Sequence, residues 1–209
     1  MTPPFPGAFV RLWDLDLSER PHVYPPREDS LLLASSAGVK NGERVLEVGC
    51  GLGLASLSAA RAGGRVVASD VNPYAVQAVR EEALARGLQL DTVRADLFRG
   101  LGRFDVVLSN PPYLPSSPSL SDPDVWQERA VDGGEDGLAF VRRFIEELPD
   151  HLTEDGRAYL LVASLPQAPI RTRGLPVRSS RVVISDLVGD RVLPAETLWV
   201  LELRASEVT

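Results

Sequence analysis

Residues 110–113, Asn-Pro-Pro-Tyr, place an amide, a rigid corner and an aromatic ring directly after an apolar stretch. Pro111 and Pro112 remove two backbone donors and fix two φ angles. The Asn110 side-chain oxygen and the Pro111 carbonyl could each accept one N–H of a planar NH2 group, which would orient its nitrogen lone pair. Tyr113 can pack against the flat group. The tetrapeptide therefore predicts a catalytic site for an amide or exocyclic base amine; a capped Pro-Pro turn is the simpler interpretation.

A second cluster has the spacing E-x-G-x-G-x-G and begins at Glu47. Gly49, Gly51 and Gly53 would let the backbone turn tightly and approach a ligand closely. The dinucleotide pattern G-x-G-x-x-G fails at Leu54. A carboxylate so near the loop would repel a pyrophosphate and favour a cationic group, such as the amino or sulfonium end of S-adenosylmethionine.

Two more acidic residues follow predicted strands. Asp70 ends the second strand, a position that accepts hydrogen bonds from ribose hydroxyls in dinucleotide-type folds. Asp96 ends the third strand and could meet the exocyclic amine of an adenine. Each acid alone could equally cap the following helix or loop. The three strand-end acids together with the glycines favour a shared crevice at the carboxyl ends of the strands.

Predicted strands and helices alternate between these residues. The strands are expected at 44–50, 65–70, 90–96, 104–110, 156–164, 180–188 and 197–204, and the helices at 28–38, 54–64, 72–87 and 136–152. A loop is expected over 111–134. The alternation requires a parallel sheet with helices on both faces, and the short last connection favours an antiparallel pair. Residues 1–26 are irregular and proline-rich, and 27–209 are predicted to form one domain.

The composition narrows the class of protein. The 209 residues carry a net charge of −7, which disfavours a broad basic face for nucleic acid. With Cys50 as the only cysteine and two histidines, the chain cannot form an internal disulfide or a cysteine/histidine zinc site, so no metal is predicted. This usage fits a cytoplasmic protein. The first residues do not have the pattern of a signal peptide, and no apolar run is long enough to span a membrane.

The chain resembles the HemK family of class I S-adenosylmethionine-dependent methyltransferases. It is most similar to the short branch that modifies the glutamine of the Gly-Gly-Gln motif in release factors of eukaryotes and archaea. The resemblance covers nearly the whole chain and is carried by VYPPREDSLLL, EVGCGLG, SDVNPYAV, ADLF, SNPPYLP, GGEDGLAFVRRFIEELPDHLTEDGRAYLLV and ETLWVLEL. It implies a Rossmann-like fold with a seven-stranded, mostly parallel sheet, an antiparallel C-terminal edge pair and helices on both faces.

The resemblance also implies roles by position. The methionine part of the cofactor would be held by Glu47, Gly49, Gly51 and Gly53, the ribose by Asp70, the adenine by Asp96 and Leu97, and the methyl acceptor by Asn110, Pro111, Pro112 and Tyr113, with Asn110 also near the cofactor. Glu28, Asp29 and Ser30 match a segment that covers the cofactor, although a simple helix N-terminus explains them equally well. Pro25 departs from the family pattern, which has Glu there. Pro166, Pro169 and Pro176 should shorten the helix that the family has after the fifth strand.

The leading hypothesis is N5-methylation of a protein glutamine in a release factor, together with a small zinc-ribbon activator subunit that the resemblance implies. An alternative is N-methylation of exocyclic amino groups in RNA or DNA, for which Arg129, Arg142 and Arg143 could line a groove or could be a solvated helix face. Another class of function, a non-catalytic scaffold subunit, is disfavoured by the intact glycine loop and Asn-Pro-Pro-Tyr motif.

Overall fold

The structure is a computed structural model that describes residues 17, 19–163, 177–184, 187–188, 191–192 and 196–205. The helices are α1 (Glu28–Ser36), α2 (Leu54–Arg61), α3 (Pro73–Ala85), α4 (Val125–Val131) and α5 (Ala139–Glu147). The strands are β1 (Arg44–Val48), β2 (Arg65–Asp70), β3 (Asp91–Arg94), β4 (Phe104–Ser109), β5 (Leu152–Ala163), β6 (Val177–Ile184), β7 (Leu187–Val188), β8 (Arg191–Val192) and β9 (Glu196–Arg204). Short 3-10 turns lie at Pro118–Leu120 and Leu148–Asp150.

The main sheet has seven strands in the order β3-β2-β1-β4-β5-β9-β6. The first five strands are parallel, and β9 is antiparallel to both β5 and β6. Strands β7 and β8 form a separate two-stranded antiparallel sheet. This topology confirms the predicted mostly parallel sheet and its antiparallel edge pair. The chain reverses its direction of winding between β1 and β4, and ligands of such sheets bind at that point.

The core lies on both faces of this sheet, and alternate residues of β1 show it. Val45 packs in one cluster with Leu32 of α1 and Ala55 of α2, whereas Leu46 packs in another with Phe144 of α5. Strands β1 and β4 are buried along nearly their whole length, and their nearly continuous apolar runs are typical of parallel strands that are covered on both faces. The strand ends are thereby fixed in space, and the polar residues that follow them share one edge.

Several predicted elements were wrong in extent. The helix predicted over 136–152 ends at Glu147, and the strand predicted over 180–188 is described as β6 (Val177–Ile184) and β7 (Leu187–Val188). The segment predicted as a loop contains α4, which begins after Asp124, whose side chain accepts a hydrogen bond from the backbone N–H of Trp126. This helix has seven residues and none is buried, so no apolar period marks it. Helix α5 begins later than predicted because Gly137 has a φ of +74°. Strand β5 begins at Leu152, four residues before the predicted start.

Some sequence expectations lie outside the described residues. They include residues 1–16 and the stretch 164–176 with its three prolines. The first described helix begins at Glu28, close to the predicted domain boundary at residue 27. Across the portion of the chain that is described, none of the helices combines the length and apolar character needed to span a membrane.

Candidate functional site

A cavity of about 410 Å³ lies at the carboxyl ends of the parallel strands. Every binding or catalytic residue that the sequence predicted lines it: Glu47, Gly49, Gly51, Gly53, Asp70, Asp96, Leu97, Asn110, Pro111, Pro112 and Tyr113. Asp29 and Ser30 also line the cavity, whereas Glu28 is exposed outside it. Residues from four strand exits therefore meet in one place, as a doubly wound sheet requires.

Glu47, at the exit of β1, is buried and is held from one side by Ser56 of α2. The backbone N–H of Ser56 donates to Glu47 Oε2 over 2.8 Å, and the Ser56 hydroxyl donates to the same oxygen. Burial raises the pKa of Glu47 to about 7, although the Ser56 hydrogen bonds act in the opposite direction. A cationic group placed beside this carboxyl would favour its ionised form.

The glycine loop folds back onto the end of β2. The backbone N–H groups of Gly49 and Cys50 both donate to the Ser69 carbonyl, over 2.9 and 3.0 Å. Gly53 has a φ of +78°, and a Cβ there would lie 2.6 Å from Cγ2 of Val79 on α3. Only glycine fits this position, because any side chain would push the loop away from α3.

Asp70, at the exit of β2, is fixed by backbone donors. Its Oδ2 accepts the N–H of Gly51 over 3.0 Å, and its Oδ1 accepts the N–H of Asn72 over 2.9 Å. Burial raises the pKa of Asp70, and these hydrogen bonds and the charge of Arg129 counteract the rise. An ionised carboxylate has roughly four acceptor positions, so about two remain for a ligand.

The third strand exit is more open. Asp96 is exposed, and its Oδ2 pairs with Nη2 of Arg143 on α5 over 3.2 Å. Leu97 is buried and has a φ of +50°, an uncommon conformation for a residue with a side chain. The sequence predicted both residues at the cavity, but it did not predict the partner of Asp96.

The Asn-Pro-Pro-Tyr corner leaves β4 beside β1. Ser109, the last residue of β4, donates from its hydroxyl to the Val48 carbonyl over 2.9 Å. The side-chain oxygen of Asn110 is buried and has no hydrogen-bond partner. Leaving such an acceptor unsatisfied costs about 1–3 kcal/mol. Among the described residues, only the Arg20 Nε shares this condition.

Two segments cover the cavity, and of their residues the sequence analysis singled out only Pro25, as a departure from the family pattern, and Arg129, as a candidate for a nucleic-acid groove. One is the stretch from Val23 to Pro26, and the other is α4, which contributes Trp126 and Arg129. His22 Nδ1 and Asp124 Oδ2 are 2.8 Å apart and join the two segments. Asp124 alone could have revealed α4, because Asp is a preferred residue at a helix N-terminus. Phe140 and Arg143 of α5 complete the wall.

The sheet order, the strand-end acids, the glycine loop and the Asn-Pro-Pro-Tyr corner together define a class I methyltransferase. The family model described as "Methyltransferase small domain" matches residues 28–128. A relative from Methanocaldococcus jannaschii, provisionally named a protein N5-glutamine methyltransferase, is 41% identical over 159 residues, which are 75% of this chain and 80% of the relative. The chain belongs to the HemK family of methyltransferases.

Two other comparisons bear on the fold and the acceptor. The release factor glutamine methyltransferase of Deinococcus radiodurans is 38% identical over 63% of this chain, and the match spans only 51% of that longer protein. The solved structure of a T. thermophilus 16S rRNA N2 G1207 methyltransferase in complex with AdoMet and guanosine covers 87% of this chain and 44% of its own, with a TM-score of 0.61 and 20% identity. The second likeness concerns the fold alone.

Proposed function

We propose that this protein transfers a methyl group from S-adenosylmethionine to the side-chain nitrogen of a protein glutamine, in the Gly-Gly-Gln motif of a translation release factor. The observation that carries the proposal is the buried, unpartnered oxygen of Asn110. A primary amide offers two N–H donors in a plane, and one of them would satisfy this oxygen. The names of the most similar relatives support a glutamine as the acceptor.

The donor side of the cavity fits S-adenosylmethionine by its chemistry. The carboxyl of Glu47 would hold the cationic amino end, and the remaining acceptor positions of Asp70 would bind the ribose hydroxyls. Asp96 and Leu97 would flank the adenine at the open end. When bound, the sulfonium supplies an already activated methyl group, so the protein does not need a strong general base.

The acceptor side would act by orientation and electrostatics. Asn110 Oδ1 and the Pro111 carbonyl would each accept one N–H of the amide and turn its weakly nucleophilic lone pair toward the methyl group. The same two dipoles would stabilise the positive charge that develops on nitrogen as the N–C bond forms. The methyl group would leave sulfur as a neutral thioether forms, and the extra proton on nitrogen would pass to solvent. Tyr113 would pack against the amide plane.

An exocyclic amine of a nucleic-acid base is the second candidate acceptor, because it presents the same two N–H groups in a plane. The cavity wall also carries Arg129. The other two arginines considered for a nucleic-acid groove are engaged: Arg142 pairs with Asp136, and Arg143 with Asp96. Fewer free cations would then face a phosphate backbone, which favours the protein substrate.

The family resemblance also supports two wider proposals. A small zinc-ribbon activator subunit would form a heterodimer with this chain and supply a zinc ion of its own. The enzyme would act in the cytoplasm, where release factors work. The activator proposal can be examined together with the acceptor, because the activator can be added to the same reaction.

The test is a transfer assay with methyl-labelled S-adenosylmethionine. The protein, alone or with a zinc-ribbon activator from the same cell, would be given release factor, release factor with the motif glutamine changed to alanine, or total RNA. We expect label on the unaltered release factor only, and mass spectrometry should locate it on the Gly-Gly-Gln glutamine. Label on RNA without label on the release factor would replace the proposed substrate.

A further inference from the structure

The loop of residues 133–137 packs directly beneath the Asn-Pro-Pro-Tyr corner. The backbone N–H of Leu114 donates to the Val131 carbonyl over 3.1 Å, and the N–H of Gly133 donates to the Leu114 carbonyl over 2.8 Å. Further along, the N–H of Ser116 donates to the Gly134 carbonyl over 2.9 Å. The chain leaving the corner and the chain leaving α4 therefore run side by side and share three backbone hydrogen bonds.

The loop comes closest to the corner at Gly137, which has a φ of +74°. A Cβ at this residue would lie 2.4 Å from the Tyr113 carbonyl oxygen and 3.2 Å from the Tyr113 carbonyl carbon. A Cβ at Gly133 would lie 2.7 Å from the Gly137 oxygen. These neighbours are backbone atoms, so they cannot move aside as a flexible side chain could. Glycine is thus required at Gly137 for the loop to contact the corner, and at Gly133 for the loop to fold back on Gly137.

We propose that Gly133 and Gly137 are positioning residues for the methyl acceptor. Their missing side chains let the 133–137 loop press against the carbonyl of Tyr113 and fix the corner that carries Asn110. The inference rests on the proposed function of that corner, and it extends the function to residues that line no part of the cavity.

The corner would transmit a displacement efficiently. Pro111 and Pro112 have fixed φ angles, so fewer backbone rotations before Tyr113 are available to absorb a shift forced on that residue. A misplacement of about 1 Å can lower a rate by roughly 100-fold when geometry supplies much of the catalysis. The donor side, in contrast, is built on β1 and β2 and shares no backbone hydrogen bond with this loop.

The test compares Gly137→Ala with Gly87→Ala. Gly87 also has a positive φ, +66°, but a Cβ there would meet nothing within 4 Å. Both variants carry the same backbone strain, and only the first displaces the corner. We expect Gly137→Ala to lower kcat at least tenfold with the S-adenosylmethionine Kd within about twofold of wild type. Equal kcat values for the two variants would overturn the inference.

A second readout does not depend on the acceptor. Hydrogen exchange of the Leu114 and Ser116 amides, both bonded to the chain after α4, should accelerate in Gly137→Ala and stay unchanged in Gly87→Ala. Unchanged exchange would overturn the inference even if wild type methylates neither release factor nor RNA. Absence of any transfer by wild type would instead contradict the proposed function alone.

If Gly137→Ala does not fold, the variant Ser116→Ala tests the same inference. The exposed Ser116 hydroxyl donates to Asp132 Oδ1 over 2.6 Å, and its removal loosens the same attachment without a clash. We expect a several-fold fall in kcat, faster exchange at Leu114 and an unchanged cofactor Kd. Wild-type values of both kcat and exchange would count against the inference.

Discussion

The two sides of the cavity differ in how their polar groups are satisfied. On the donor side, the carboxylates of Glu47 and Asp70 already accept hydrogen bonds from backbone N–H groups of the protein. On the acceptor side, the oxygen of Asn110 is buried and has no partner. The carboxylates at the β1 and β2 exits are thus held by the protein itself, whereas the Asn110 oxygen lacks a protein partner, as the proposed mechanism requires for a group that orients the methyl-accepting nitrogen. In this proposal, the polar groups at the exits of β1 and β2 also stabilise the fold, whereas the polar group at the exit of β4 serves the reaction.

The largest expected effect is that of Asn110→Ala on turnover. Loss of one such oriented acceptor should lower kcat about 100-fold or more, while the cofactor Kd changes little. Because the substitution also removes an unsatisfied buried oxygen, thermal stability should be unchanged or higher. Steady-state kinetics and a melting curve check both parts. The proposed mechanism is wrong if the variant turns over at the wild-type rate.

The donor side should respond in the opposite way to Asp70→Ala. The variant loses a carboxylate that would accept hydrogen bonds from the ribose hydroxyls, worth about 1.5–3 kcal/mol, so the cofactor Kd should rise roughly 10- to 100-fold. It should also become less stable, because the N–H groups of Gly51 and Asn72 lose their acceptor. Titration calorimetry measures the first effect. Asp91→Ala, at the exposed start of β3, is the control and should bind normally.

The affinity for S-adenosylmethionine, measured as a function of pH, would test the role of Glu47 on the donor side. Burial raises the pKa of this carboxyl to about 7, so a proton occupies it in the free protein below that pH. A cationic ligand must displace the proton, and its affinity should fall toward tenfold for each pH unit below about 7. Above that pH the affinity should level off. The Kd of S-adenosylmethionine measured from pH 5 to 8 gives the profile.

The matched control is Glu47→Gln, which keeps an oxygen for Ser56 but cannot titrate. Its affinity should be low and independent of pH across the same range. The sign of the stability effect follows from the same pKa: the folded state holds more protons than the unfolded state between pH 4.5 and about 7. Wild type should therefore lose stability relative to Glu47→Gln as the pH rises through this interval. A pH profile shared by both proteins would contradict this assignment.

The smallest expected effect belongs to the third strand exit. Arg143 pairs with Asp96, and both side chains are about half exposed. Exposed ion pairs contribute little, so Arg143→Ala should change the cofactor Kd by less than about threefold. The freed Asp96 should remain available to the adenine. A tenfold or larger change in the cofactor Kd, measured against Arg142→Ala on the same helix, would show that the Arg143–Asp96 pair contributes to cofactor binding.

The sequence predicted what depends on local pattern. Apolar strands such as β1 and β4 and the polar residues that follow them could be read directly, because strand ends of a parallel sheet meet at one edge. Helix α4 was missed because none of its residues is buried, so Asp124 at its N-terminus is the only local signal, and its contact with His22 joins residues 102 positions apart. The approach of Gly137 to Tyr113 and the unsatisfied oxygen of Asn110 likewise depend on three-dimensional geometry that no spacing of residues encodes.

The tie between His22 and Asp124 has a consequence for the passage of small molecules. The N-terminal stretch is also fastened by Arg20 to Glu82 of α3, over 3.3 Å, and by the Asn72 side chain to the His22 carbonyl, over 2.7 Å. These three contacts hold the N-terminal stretch over the donor side of the cavity. Exchange of spent donor for fresh donor would then involve movement of this stretch, so the His22–Asp124 contact would bear on the rate of donor exchange without taking part in the bond-making step.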